Sequence, residues 1–202
     1  WTEYCSQISN NGVHSLDMTR WLMHDLAPTS ICCMGGKYVL DDDRTEPDTS
    51  QTIFEFPSGW LALFGMYEAN GNPTTARSGF VELRGTLGTL YASDQTIEIV
   101  PERGGQFQDP SNRMEPVTLT GTDGDLTQQH ARNFLDCMRS RATPHADIEE
   151  GHRSTTMSLL AKISLAVRQR IEWDPQQEQI TNCPAANAML HYEYRKPWSL
   201  EG

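Results

Sequence analysis

The chain has 202 residues, a formal net charge of −11 at pH 7 and 37% hydrophobic residues. A chain of this length can bury a sizeable core, in one large domain or two small ones. Its excess of negative charge argues against a surface that binds nucleic acid or an anionic membrane. No stretch approaches the roughly 20 consecutive apolar residues of a membrane-spanning helix. From the charge and the absence of such a stretch, we expect neither nucleic acid nor a membrane as a partner.

The chain begins at Trp1, with neither a methionine nor a signal peptide, so we expect a processed or truncated protein. Its 5 cysteines are odd in number and include the neighbours Cys32 and Cys33. Because they match neither a secreted disulfide framework nor a zinc site, we expect most of them to be reduced. We expect a cytoplasmic protein; the residues upstream of Trp1 would decide whether it is periplasmic instead.

The first predicted element is a helix from Asn11 to about Leu26, which Pro28 closes. Its apolar residues recur at roughly helical spacing, at Val13, Leu16, Trp21 and Leu22. Residues 31–40 are then typical of a strand with a glycine bend, and residues 41–48 of a surface loop.

Residues 50–68 form the clearest hairpin, because Pro57-Ser58-Gly59 provides turn chemistry between two apolar runs. Residues 80–93 and 95–102 predict further strands. Residues 104–125 are rich in Gly, Pro and polar side chains and predict an irregular loop with one short strand.

Two helices are predicted after the strands. The first covers residues 127–141, with an apolar stripe at Ala131, Phe134, Leu135 and Met138. The second runs from about Glu149 to Ile171, with Met157, Leu160, Ile163, Val167 and Ile171 on one face.

Short strands in succession, with helices before and after them, predict an α+β fold with an open, mainly antiparallel β-sheet and helices packed on one face. No linker divides the chain, so residues 1–202 are predicted to be one domain. The hairpin residues Ile53 to Glu68 are expected at the centre of the sheet. Because residues 60–67 are apolar on both sides, we expect helices to cover one sheet face and a second subunit the other.

Several motifs have simple structural explanations. Gly85 and Gly88 lie between two predicted strands, so they predict a β-turn rather than a nucleotide-binding loop. The acidic run at residues 41–48 could bind calcium, but a solvated loop explains it better. The segment "HADIEEGH", residues 145–152, could hold a metal, although its acids also favour a helix N-terminus. His130 is expected to be half-buried packing, and we assign no metal site.

The stretch "NNGVHSLD", residues 10–17, points to chemistry. Asn10 or Asn11 is a natural N-cap, and Gly12 would let the backbone approach a ligand. His14 would lie in the first helical turn, and Asp17, three residues on, could hydrogen-bond its imidazole. A carboxylate behind a histidine suits an acid/base catalyst. An ordinary capped helix with a surface His–Asp pair is the alternative from the residues alone.

The same stretch, "NNGVHSLDMTRWLM", resembles the segment D-x-G-x-H-x-x-D-x-x-R-W/F of the Gfo/Idh/MocA family of NAD(P)-dependent sugar and polyol oxidoreductases. Five further segments resemble the family's C-terminal domain in order: "GGKYVLDDDRTEPDT", "ELRGTLGTLY", "HARNFLDCMRSRATPHADIEEGHRST", "IEWDP" and "HYEYRKPWSL". The resemblance implies that residues 1–202 are the substrate-binding and oligomerisation domain, whose sheet commonly builds the oligomer interface. The N-terminal Rossmann domain would be missing upstream.

The resemblance also implies roles for individual residues. His14 would be the acid/base and Asp17 the carboxylate that supports it. Asn10 replaces an aspartate of many members, and Asn10 and Asn11 would bind the substrate, a carbohydrate or polyol. NAD or NADP would be bound mainly by the absent N-terminal domain, which carries the dinucleotide fingerprint and the E-K-P lysine. This chain alone is therefore expected neither to bind NAD nor to turn over.

Three functions are compatible with this resemblance. The first is oxidation of a sugar or cyclitol hydroxyl by an NAD(P)-dependent oxidoreductase. The second is NAD-dependent glycoside hydrolysis through transient oxidation. The third is a non-catalytic sheet domain kept for assembly or sugar binding. A homo-oligomer formed through the sheet face is expected in each.

Overall fold

The computed structural model describes residues 7–72, 77, 79–104, 111–121 and 124–199. The chain forms two compact units. The first unit comprises residues 1–71 and 152–202, and the second comprises residues 72–151. The assignment of the whole chain to one domain stays a prediction. Trp1, Cys5 and part of the predicted 104–125 loop lie outside the described residues.

Seven strands follow one another between two pairs of helices, and all paired strands are antiparallel, which confirms the predicted α+β fold class. The helices are α1 (Gln7–Asn10), α2 (Gly12–Met23), α3 (Leu126–Ser140), α4 (Ile148–Val167) and α5 (Pro184–Asn187), with a short 3-10 helix at Ala188–Leu190. The strands are β1 (Ser30–Gly36), β2 (Thr49–Glu55), β3 (Leu61–Tyr67), β4 (Val81–Arg84), β5 (Gly88–Ala92), β6 (Thr96–Pro101), β7 (Val117–Thr120), β8 (Ile171–Asp174) and β9 (Gln179–Ile180). Among the described residues, no helix is long and apolar enough to cross a membrane.

The first unit contains a five-stranded antiparallel sheet in the order β3-β2-β1-β8-β9. The predicted hairpin is present as β2 and β3. Its turn uses Gly59 at φ 84°, a conformation that glycine adopts without steric cost. The predicted central position of the hairpin is wrong, because β3 is an edge strand of this sheet and β1 lies at its centre. The sheet is completed by β8 and β9, which follow α4 in the chain.

The core of the first unit lies on one face of this sheet. Ile31, Phe54 and Ile171 point from three strands toward Met157 and Leu160 of α4, and all five side chains are almost completely buried. The helix is therefore packed on one sheet face, as predicted. The opposite face has no cover among the described residues, so the expected burial of both faces of β3 does not occur within one chain.

The predicted C-terminal end of α4 is wrong by one turn. The helix ends at Val167, and Arg168 adopts a left-handed conformation with φ 56°. The backbone N–H of Gln169 then donates to the carbonyl of Ser164 at 3.3 Å. Ile171 begins β8 instead, where it still faces the core, which is why its apolar spacing continues the helical pattern.

The second unit contains a four-stranded antiparallel sheet in the order β4-β5-β6-β7, and the helix α3. The Gly85 N–H donates to the Gly88 carbonyl at 3.0 Å in the tight turn between β4 and β5, as predicted. Asp125 caps α3 by accepting from the backbone N–H groups of Thr127 and Gln128. None of the α3 residues is buried, so His130 is exposed rather than half-buried.

Asp48 organises the acidic loop that follows β1. It is fully buried, and its Oδ2 accepts hydrogen bonds from the backbone N–H groups of Leu40, Val39 and Tyr38 at 2.8, 2.9 and 3.0 Å. These bonds, with that of Leu40 the strongest, lower the pKa of Asp48 from the ordinary 3.8 to about 2. Asp48 is thus a structural anion of the loop.

A carboxyl group whose pKa is lowered by folding stabilises the folded chain above its unfolded pKa, and this contribution is lost as the pH falls toward its folded pKa. Asp48→Asn should therefore lower the free energy of unfolding most at neutral pH, and progressively less from about pH 4 toward pH 2. Urea unfolding of both proteins across this range checks the prediction. A difference that does not change with pH would contradict it.

Candidate functional site

The helix α2, which carries the predicted site residues, is fixed to the five-stranded sheet at both ends. At its start, a Cβ on Gly12 would lie 3.1 Å from the ring of Phe64 in β3, so the glycine permits close helix–sheet packing. After its end, the Trp60 indole N–H donates to Asp25 Oδ2 at 2.6 Å. Gly12 thus has a packing role, whereas the sequence suggested close approach to a ligand.

The residues before α2 form the helical turn α1. Asn11 occupies the N-cap position of α2, one of the two positions predicted, but its side chain makes no capping hydrogen bond. Instead, the side-chain amides of Asn10 and Asn11 donate to Gln7 Oε1 at 3.5 and 2.8 Å. Both asparagines are exposed, so their side chains can reach a ligand.

His14 lies in the first turn of α2 with an exposed side chain. Its backbone N–H donates to the Asn11 carbonyl at 3.2 Å. Among the described residues, no hydrogen bond joins the imidazole to Asp17, so the predicted pairing is not formed here. The imidazole is therefore open to an incoming hydroxyl group.

Asp17 is turned toward α4. Ser154 Oγ donates to Asp17 Oδ1 at 2.5 Å, and the Arg20 guanidinium lies 3.7 Å from the same oxygen. The Arg20 Nε also donates to Ser154 Oγ, at 3.3 Å. The structure thus brings together Asp17, Arg20 and Ser154, and His14 lies one helical turn before Asp17 on α2.

Arg20 and Ser154 are the residues that sequence reasoning missed. The predicted apolar face of α2 included Trp21, which is 69% exposed, whereas Arg20 is only 4% exposed. Gly12, Leu16 and Arg20 are spaced four residues apart and are all buried. This spacing could have revealed that Arg20 lies on the buried face of α2. Ser154 carries no local signal, because it lies 137 residues from Asp17 in the chain.

This arrangement offers one exposed nitrogen base, one carboxylate of fixed orientation and two exposed amides on a single helical stretch. An imidazole can accept a proton from a hydroxyl group, and a neighbouring carboxylate stabilises the resulting positive charge. The amides of Asn10 and Asn11 can donate to and accept from hydroxyl groups. Together these groups are suited to a polyhydroxylated ligand.

A cleft of about 510 Å³ lies elsewhere in the first unit. None of the predicted site residues lines it, that is, neither Asn10 and Asn11 nor His14 and Asp17. Its buried floor includes Ser30, which donates to Glu55 at 2.9 Å and accepts from Arg170 at 3.0 Å. Arg170 and Glu55 also form an ion pair at 2.7 Å. Because these polar groups satisfy one another, volume alone does not make this cleft the better candidate site.

The two segments considered for metal binding do not form a ligand cluster in the described part of the chain. Asp48 is committed to backbone N–H groups, as described above. Glu149 and Glu150 lie in the first turn of α4, where the helix dipole favours negative charge. His152 Nε2 lies 2.5 Å from Glu178 Oε1.

Comparison with known protein families gives a match to this chain. A family model described as the C-terminal alpha/beta domain of an oxidoreductase family, Gfo/Idh/MocA, matches residues 120–200. The resemblance to the Gfo/Idh/MocA oxidoreductases is confirmed for residues 120–200. The matched residues include α3 and α4 but not the His14 stretch. No curated protein matches the chain.

Solved structures share the fold. An NAD-binding protein from Listeria innocua is 18% identical with a TM-score of 0.57, over 83% of this chain and 51% of that one. UDP-N-acetylglucosamine 3-dehydrogenase GnnA from Acidithiobacillus ferrooxidans is 14% identical with a TM-score of 0.51, over 77% and 45%. An oxidoreductase from Agrobacterium radiobacter, in complex with NAD+, L-tartaric acid and magnesium, is 14% identical with a TM-score of 0.52, over 80% and 47%. The chain thus spans about half the length of these structures.

The exposure of Asn11 allows a ligand-binding role to be separated from a structural one. Asn11→Ala should change the free energy of unfolding by no more than about 0.5 kcal/mol, because the side chain is exposed and its hydrogen bond to Gln7 is exposed too. Leu16→Ala, at a 2% exposed position in the same helix, should cost about 2–5 kcal/mol. Urea unfolding measures both. A loss for Asn11→Ala as large as that for Leu16→Ala would show that Asn11 supports the fold.

Proposed function

We propose that this chain is the substrate-binding and catalytic-histidine half of an NAD(P)-dependent oxidoreductase that acts on a sugar or cyclitol hydroxyl. The observation that carries the proposal is the exposed imidazole of His14 in the first turn of α2, beside the fixed carboxylate of Asp17. The family match adds the reaction class, and the GnnA likeness adds a sugar-related dehydrogenase of the same fold.

In this proposal, His14 accepts the hydroxyl proton of the substrate while the adjacent carbon loses a hydride and the carbonyl group forms. Asp17 stabilises the imidazolium that results, from its position one turn further along α2. Asn10 and Asn11 hold neighbouring hydroxyl groups through their amides. Asn10 carries no charge and cannot take a proton, so proton transfer rests on His14.

A nicotinamide cofactor, when bound, supplies the hydride acceptor. In the described residues, Gly85 and Gly88 lie in a turn between two strands, not between a strand and a helix as a dinucleotide loop requires. The residues that hold the cofactor therefore belong, in our proposal, to another part of the full-length protein. The exposure of His14 leaves it accessible to a substrate that lies against this cofactor.

The full-length protein, incubated with NAD or NADP and a panel of sugars and cyclitols, tests the reaction class. Accumulation of a keto product with reduced nicotinamide would support the proposal. Glycosides cleaved without net nicotinamide reduction would establish the hydrolase instead. Neither outcome with any substrate would favour the non-catalytic assembly or sugar-binding domain.

His14→Ala in the full-length protein should lower the rate of hydride transfer by roughly 10²–10⁴, the usual contribution of a positioned acid/base. Asp17→Asn should cost less, because it weakens the charge balance of the imidazole without removing it. Stopped-flow reduction of NAD measures both rates. The exposed His130→Ala is the matched control and should retain the wild-type rate. Wild-type rates for His14→Ala, with an unchanged pH profile, would refute the catalytic role.

Asn10→Asp tests the neighbouring position separately. If Asn10 holds a substrate hydroxyl, the aspartate should be tolerated, because a carboxylate also accepts a hydrogen bond. The activity at neutral pH should then be retained or raised in the same stopped-flow assay. A loss as large as that of His14→Ala would mean that the neutral amide itself is required.

We also propose that the open face of the five-stranded sheet binds a second copy of this chain. Residues 61, 63 and 67 of β3 and their cross-strand neighbours share this face. Its exposed apolar side chains are Met34 at 75%, Leu63 at 67%, Leu61 at 58%, Ile53 at 41% and Tyr67 at 40%. A contiguous apolar patch of this kind is typical of an interaction surface, and a self-complementary sheet face suits a two-fold dimer.

Leu63→Lys should shift the protein toward the monomer, because it places a charge among the exposed apolar side chains of this face. Leu26→Lys is the matched control, since Leu26 is also exposed, at 59%, but lies outside the sheet. Light scattering at micromolar concentration measures the mass of each protein. A monodisperse wild-type monomer would contradict the proposed interface.

A further inference from the structure

Ser154 and Arg20 form a buried polar contact between α4 and α2. Their side chains are 1% and 4% exposed, respectively, and are joined by the 3.3 Å hydrogen bond from Arg20 Nε to Ser154 Oγ. Both groups also reach Asp17 Oδ1, Ser154 at 2.5 Å and Arg20 at 3.7 Å. The contact therefore extends from the protein interior to a carboxylate that is 55% exposed.

The contact fixes one oxygen of the carboxylate. Ser154 Oγ donates to Asp17 Oδ1, and Arg20 Nη2 lies 3.7 Å from the same oxygen. A hydrogen bond to an ionised acceptor is stronger than one between neutral groups, and its donor here, Ser154, is buried. One oxygen of Asp17 is thus held against α4, one helical turn from His14.

We propose that Ser154, with Arg20, is a positioning residue for the reaction at His14. By holding Oδ1 against α4, it limits the rotation of the carboxylate, which lies one helical turn from His14. This inference rests on the proposed function, because it assigns a purpose to the orientation of Asp17. Ser154 itself does not touch the reacting atoms.

The chain provides a matched control one helical turn further along α4. Ser158 is fully buried, like Ser154, but its Oγ donates to the Thr155 carbonyl at 2.7 Å, within the same helix. Ser154→Ala and Ser158→Ala therefore remove the same atom at the same burial. Only the first variant releases Asp17.

The first measurement reads the orientation of Asp17 without any need for turnover. The full-length protein is labelled with 13C at the aspartate side-chain carboxyls, and the Asp17 resonance is assigned by its loss in Asp17→Asn. Ser154→Ala should shift this resonance, whereas Ser158→Ala should leave it in place. An unmoved resonance in Ser154→Ala would overturn the inference even in an active enzyme, and a shifted one without turnover of any panel substrate would refute the proposed function instead.

The second measurement tests whether the orientation matters for the reaction. With the substrate that is oxidised best, Ser154→Ala should lower kcat about tenfold, the effect of losing one hydrogen bond to a charged group, with the KM for the cofactor unchanged. The double variant with Asp17→Asn should be no slower than Asp17→Asn alone, because Ser154 acts only through Asp17. Equal rates for Ser154→Ala and Ser158→Ala, or additive losses in the double variant, would overturn the positioning role.

Discussion

The packing of α4 across the five-stranded sheet is the contact on which the rest of the first unit depends. Leu160 and Met157 fill the core against Ile31 and its strand neighbours, and this burial supplies most of the favourable free energy. The apolar contact also fixes the helix in rotation. Polar side chains on α4 are consequently held at defined positions and can bind other elements.

Three polar contacts from α4 illustrate this. Ser154 reaches α2, Lys162 forms a 2.9 Å ion pair with Glu46 in the loop after β1, and Ser164 accepts the backbone N–H of Cys33 at 2.9 Å. One helix thus positions the candidate site helix, the acidic loop and the central strand. A change in α4 packing would move all three, so a loss of function there need not indicate a catalytic residue.

The sequence predicted features whose cause is local. The β2–β3 hairpin follows from turn residues that include a left-handed glycine, Gly59, and the tight turn between β4 and β5 follows from the two glycines that flank it, Gly85 and Gly88. The end of α4 was not predictable in this way, because Arg168 takes the left-handed position that glycine usually marks. The N-terminal end of α2 was predicted to within one residue, but the helical turn α1 before it was not, and the Asn11 side chain makes no capping bond.

The candidate site was predicted in its residue types but not in its contacts. His14 and Asp17 have the correct spacing for a catalytic pair, yet Asp17 binds Ser154, and that contact depends on tertiary packing. Nothing in a window of residues around Asp17 encodes it. The sequence pattern identifies which groups are available on α2, and the fold determines which of them point at one another.

The most direct test of the account is a crystal structure of the full-length protein bound to NAD and to a substrate that it oxidises. The account predicts that the His14 imidazole lies within about 2.6–3.2 Å of the reacting oxygen, the reach required of an acid/base group. It also predicts that the carbon bonded to this oxygen faces the nicotinamide ring. A structure in which His14 points to solvent, away from both ligands, would contradict the assignment of this helix as the active site.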